Sequence, residues 1–204
     1  MTNRFALCLP FTLAQEAPFP NNWSDKRNFS NDPHDPGGAT MDGIIQVEYD
    51  SYRTQRGLPD QSVELISQAE GQEIYYDGYW LPRCPNLPVG LDLSFFDTSA
   101  NQGQSRATKI LQTALGVAAD GIWGPLTEAA VQGISNVMTI INGYTVYREI
   151  AYRNTRNFNY FGTGWIRRAQ EIGADSLTML SVPEGKKAVL RVFHKMPKAS
   201  LFTS

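Results

Sequence analysis

No apolar run in the 204-residue chain approaches the roughly 18 to 20 residues that a membrane-spanning helix needs, because polar side chains interrupt each helical pattern. No integral membrane segment is expected. Residues 1–14 carry one arginine and an apolar stretch, but Pro10 breaks it and Glu16 follows, so no secretory signal is expected and synthesis in the cytoplasm is the reading. Histidine is scarce: His34 and His194 are too far apart for a zinc pair, and neither Cys8 nor Cys84 has a ligand-spaced partner, so no metal is expected. Two cysteines make no disulfide framework, and buried free thiols are the expected state. A formal net charge of −2 leaves no basic stripe for phosphates, which argues against a nucleic-acid partner. Glycine-rich phosphate loops, a serine elbow and a thiol beside a base are absent too, so no cofactor is expected.

What remains is a chain with 42% hydrophobic residues, enough for one substantial core or two small ones sharing an interface. Helical periodicity dominates, and strand-like alternation is nearly missing before the tail, so the fold class read here is all-α. Phe5, Cys8, Leu9 and Leu13 form the buried stripe of a first helix over about 3–15, which Pro18 and Pro20 stop. Residues 17–39 hold prolines and asparagines without periodicity, a long loop of the kind that is functional or disordered. A second helix is predicted to start near Thr40 as its N-cap and to run to Gly57 and Pro59, and a third to extend from about Gln61 towards Trp80. Further helices are predicted over 91–101, 106–115, from Gly124-Pro125, over 135–154 and over 164–180. From Val182 to Ser204, Lys186, Lys187, Arg191, Lys195 and Lys198 face Glu184 alone, a tail suited either to an anionic surface or to solvent.

Two features carry chemistry. Glu16 ends the first helix, where the negative pole of the helix dipole opposes ionisation, and apolar neighbours such as Phe11, Leu13 or Phe19 would raise its pKa further. A carboxyl held that way is a general acid, although an ordinary surface glutamate is the competing reading. Asp35 lies in Pro33-His34-Asp35-Pro36-Gly37-Gly38, stiffened by proline and opened by glycine, and Thr40 follows five residues later. A turn-capping aspartate and an N-capping threonine are the alternatives. An acid, a second carboxylate and a hydroxyl are the parts that cleave a glycosidic bond. Tyr49, Tyr52, Tyr75, Tyr76, Tyr79 and Trp80 add flat faces with polar edges that stack on sugar rings, with core packing as the alternative.

At these residues the sequence resembles glycoside hydrolase family 108, bacterial and phage endolysins whose first helix ends in Glu-Gly-Gly-Tyr. The family's Asp-Pro-Gly-Gly-Ala-Thr block is matched by Asp35 to Thr40, and Gly43-Ile44 follow in place. The likeness continues through Ile74-Tyr75, Tyr79-Trp80, Leu87-Pro88, Phe96-Asp97, Asn101 and Gly103. Downstream, Arg106 to Gln112 and Asp120-Gly121-Ile122-Trp123-Gly124-Pro125 are similar to the peptidoglycan-binding region that accompanies the family. The resemblance implies a lysozyme-like helical fold, with a hydrolase region over 1–100, a helical wall-binding region over 101–181 and the basic tail over 182–204.

It also implies an N-acetylmuramidase acting on peptidoglycan glycan strands as a monomer. Glu16 would be the acid, Asp35 and Thr40 would handle the attacking water, and Tyr49, Tyr76, Tyr79 and Asn101 would contact sugar. Reaching the wall would then depend on a holin or a phage particle. Two departures stand out. Ala17-Pro18-Phe19-Pro20 replaces Gly-Gly-Tyr, and the interval from Glu16 to Asp35 is about ten residues longer than the family pattern, which makes Asp25 a rival second carboxylate. A wall-binding relative that has lost turnover is the competing function.

Overall fold

The computed structural model describes residues 4–19, 22–23, 25–31 and 38–181. Asp32, His34, Asp35 and the basic tail over 182–204 lie outside the described residues. The first helix, α1 (Arg4–Glu16), follows the stripe read from the sequence, burying Phe5, Leu7, Cys8, Leu9 and Leu13, with Pro10 on its less buried side. Arg4 ties its start to the rest of the fold, donating to the carbonyls of Leu87 and Pro85 at 2.7 Å each and to the buried Asp92 carboxylate at 2.8 Å. Cys8 and Cys84 are buried thiols with no disulfide between them, as expected.

After α1, the described residues Phe19, Trp23 and Asn28 pack against the fold. Asn28 donates to the carbonyl of Phe19 at 3.0 Å and accepts from its N–H at 2.9 Å, while Trp23 buries its ring edge-on against Tyr75 at 6.4 Å. Three two-residue strands follow, β1 (Phe29–Ser30), β2 (Thr40–Met41) and β3 (Ile44–Ile45), paired antiparallel in that order with Met41 opposite both Phe29 and Ile44. Asp42 and Gly43 turn between the last two with φ of 51° and 82°. Two successive positive φ values at an Asp-Gly pair are what a tight type I′ hairpin requires.

This hairpin corrects the expected second helix. Thr40 is a strand residue facing Ser30 and Ile45, not an N-cap, and α2 begins six residues later (Gln46–Gln55). Next comes α3 (Gln68–Tyr75), closed at its start by a capping box between Ser67 and Glu70 and continued by a π-type turn over Tyr76–Trp80. The long central helix α4 (Leu91–Gln102) is buried at every position from Leu91 to Ser99. Around it pack α5 (Gln104–Leu115), α7 (Val137–Arg153) and α8 (Phe158–Ser181), with α6 (Pro125–Gln132) against α5. Proline opens α6 and left-handed Gly116 closes α5, both as the sequence indicates. The fold is mostly helical with one small sheet, and a continuous core runs from Phe5 through Phe96 to Ile172. Among the described residues no helix is long and apolar enough to cross a membrane.

Candidate active site

Glu16 is the last residue of α1, with its side chain 20% exposed and its Oε1 2.5 Å from Nη2 of Arg168 on α8. Arg168 is itself buried, and its guanidinium grips Asp97 of α4 with two bonds, Nε to Oδ2 at 3.0 Å and Nη2 to Oδ1 at 2.8 Å. Asp97 is fully buried and takes a third bond from Arg148 of α7 at 2.6 Å. Arg148 also donates to the Tyr152 hydroxyl at 3.0 Å, which in turn donates to Asn101 at 2.5 Å. Four helices thus converge on one cluster, in which two carboxyl groups meet two guanidiniums. Burial by itself would raise the Asp97 carboxyl, but Arg168 and Arg148 outweigh it and hold it below the ordinary range. For both arginines burial opposes the charge, and Asp97 more than compensates.

The hairpin turn closes on the other side of Glu16. A Cβ placed on Gly43 would lie 2.7 Å from the Tyr75 hydroxyl and 2.9 Å from the Glu16 Cβ, so the bare backbone is what lets the turn seat against both. Tyr75 is buried and donates to the Asp42 carbonyl at 2.9 Å. Its ring lies 5.9 Å from that of Tyr79, whose hydroxyl donates to Glu48 of α2 at 2.7 Å. Burial pushes the Glu48 carboxyl up, with the Tyr79 bond working against it.

The other residues singled out in the sequence are placed as follows. Thr40 is half-buried in β2, its hydroxyl donating to the Gly38 carbonyl at 3.1 Å. Asp35 lies outside the described residues. Asp25, its rival, caps a short 3₁₀ turn and pairs with Arg27 at 2.5 Å. Tyr49 is fully buried, stacked 6.2 Å from Tyr52 with its hydroxyl accepting from Arg53 and Gln61, so its ring is core and offers no face to a sugar. Tyr76 is half-buried edge-on to Phe5 at 5.1 Å. Tyr79 is half-buried against Tyr75, and Asn101 accepts from Tyr152 at the arginine cluster. Among the described residues no group of acidic, histidine or cysteine side chains is arranged to hold a metal.

Asp42 is a carboxylate that sequence reasoning passed over. It is 2% exposed, Asn28 donates to its Oδ1 at 2.8 Å, and its Oδ2 has no partner. Burial raises its pKa to about 6, with the Asn28 bond opposing and the Asp25 charge adding to the rise. As pH climbs from the ordinary value of 3.8 towards 6, the unfolded chain sheds this proton before the native one does, so stability falls across that window and stays lower above it. Asp42→Asn keeps the Asn28 bond and suits the positive φ. It is expected to stabilise the fold by ~1–2 kcal/mol in urea unfolding at neutral pH, with the charge-related gain gone below about pH 4.

Residues 11–103 match the family described as Glycosyl hydrolase 108. The solved structure of SagA from Brucella abortus superposes with a TM-score of 0.73 at 28% identity, covering 91% of this chain and 99% of that one. No curated protein matches the chain.

Proposed function

We propose that the protein is a peptidoglycan hydrolase, an N-acetylmuramidase cleaving the β-1,4 bond between N-acetylmuramic acid and N-acetylglucosamine, a reading supported by the match of residues 11–103 to the glycosyl hydrolase 108 family. The observation that carries this reading is the placement of Glu16: a partly exposed carboxyl at a helix end, seated against the Gly43 turn and held through one oxygen by Arg168. Among the described residues Arg168 is the one polar partner of that carboxyl, which leaves Oε2 for a glycosidic oxygen.

In the reaction Glu16 protonates the leaving oxygen as the C–O bond breaks, and water, oriented by Asp35 and Thr40, adds to the sugar carbon that loses it; the proton this water sheds returns through solvent to restore the Glu16 acid. Proton transfer turns Glu16 into an anion beside a guanidinium already in place, so the charge forms where it is compensated without rearrangement. Arg168 acts only through Glu16 and is a positioning residue. It comes from outside the matched region, so the hydrolytic site is completed by the C-terminal helices.

Mass spectrometry of fragments released from purified cell walls tests the reading. New reducing ends on N-acetylmuramic acid are expected; new amino termini would mean a peptide-cutting enzyme, and wall sedimentation without fragments would mean a binding protein.

A further inference from the structure

A groove of about 620 Å³ opens between α8 and the end of α7. Phe158 forms its floor. A Cβ on Gly162, one turn along, would come within 2.6 Å of the Phe158 ring, so the helix is left bare where the ring lies. Arg153 stands over that ring at 5.5 Å to its centroid, and Arg167 lines the groove two turns further on. Asn159, Thr163 and Gln170 add amide and hydroxyl groups along the same helical face, which spans ~16 Å at the rise of an α-helix.

Both guanidiniums retain donors. Their acidic neighbours are distant for ion pairs, Glu149 at 3.8 Å from Arg153 and Glu171 at 3.9 Å from Arg167, and both arginine side chains are more than half exposed. Gln170 donates to Glu149 at 3.1 Å, drawing that carboxylate along the helix face. Exposed pairs of this kind contribute little and exchange readily for another carboxylate. Two planar, forked donors set apart over an aromatic floor suit an extended ligand with two carboxylates and an apolar contact between them. The Arg167 end is also tied to the catalytic end of α1, because Glu171 accepts from Gln15 at 2.8 Å, one residue before Glu16.

We propose that this α7–α8 groove binds the carboxylates of the peptide arms carried by the glycan strand. The assignment rests on the peptidoglycan reading above and adds to it the part of the substrate held away from the cleaved bond. One strand would then be gripped by its peptide on α8 while its sugar lies at Glu16.

The test compares two soluble probes, an N-acetylglucosamine–N-acetylmuramic acid disaccharide carrying its peptide and the same disaccharide without it, titrated calorimetrically. The native protein is expected to bind the peptide-bearing probe at least ~10-fold more tightly, the scale of one charge-assisted contact. The double variant Arg153→Ala/Arg167→Ala and the variant Thr163→Glu are expected to lose that advantage while binding the bare disaccharide unchanged. All three positions are exposed, so unfolding midpoints should hold. Equal affinity for the peptide-bearing probe in native and both variants, or no preference in the native protein, would overturn the assignment. Hydrolysis of glycan strands stripped of peptide is read separately: its absence in the native protein would remove the muramidase reading and leave the binding comparison standing.

Discussion

Glu16→Gln is expected to lower the release of reducing ends from purified walls by ~10³-fold, within the range that loss of a positioned general acid costs. The amide keeps the shape and still accepts from Arg168, but it has no acidic proton to give. Because the side chain is 20% exposed and Asp97 retains both of its arginines, the unfolding free energy is expected to move by no more than ~1 kcal/mol. The variant should sediment with walls as the native protein does. Equal clearing by native and variant would remove Glu16 from the chemistry.

The second large effect falls on stability. Asp97 is fully buried between Arg148 and Arg168, whose side chains are 2% and 7% exposed. Asp97→Ala would leave two buried guanidiniums facing one another without their shared anion, and removing one partner of a buried pair costs ~3–5 kcal/mol. A drop of that size in chemical unfolding is expected. Hydrolysis should fall with it even at temperatures where the variant is folded, because Arg168 loses the bidentate grip that aims it at Glu16. The native carboxyl is depressed below 3.8, so its stabilisation is present above that pH and lost only as pH falls through the lower native value. The acid limb of the stability curve should therefore flatten in the variant.

The contrast between Glu16 and its partner shows what a sequence discloses. A glutamate that closes an apolar helix just before two prolines is a local pattern, and its place at the end of α1 follows from those neighbours. Arg168 lies over a hundred and fifty residues away, and no local rule joins the two. Its signal is indirect: Arg168 shares the buried stripe of α8 with Ile172, Ser176 and Met179, and Arg148 sits among Ile141, Tyr144 and Tyr152 on α7. An arginine on a buried stripe demands an anion. Asp97, inside the wholly buried run of α4, is the matching demand from the other side.

The hairpin was illegible for a different reason. Strands of two residues are too short to show alternation, so Thr40 reads as a helix cap although Asp42-Gly43 carries the turn signal. Aromatic clustering is ambiguous in the same way: sugar stacking and core packing both suit Tyr49 and Tyr79, and only packing shows the first ring fully buried and the second half-buried against Tyr75.

The proton donation proposed for Glu16 is isolated most directly with a leaving group that needs none. Hydrolysis of a wall-disaccharide glycoside of 2,4-dinitrophenol by the Glu16→Gln variant, set against its hydrolysis of the natural strand, makes that comparison. The deficit is expected to shrink from ~10³-fold on the natural bond to within ~10-fold on the activated one, since only the former requires an acid. An equally large deficit on both substrates would contradict the assignment of Glu16 as the proton donor.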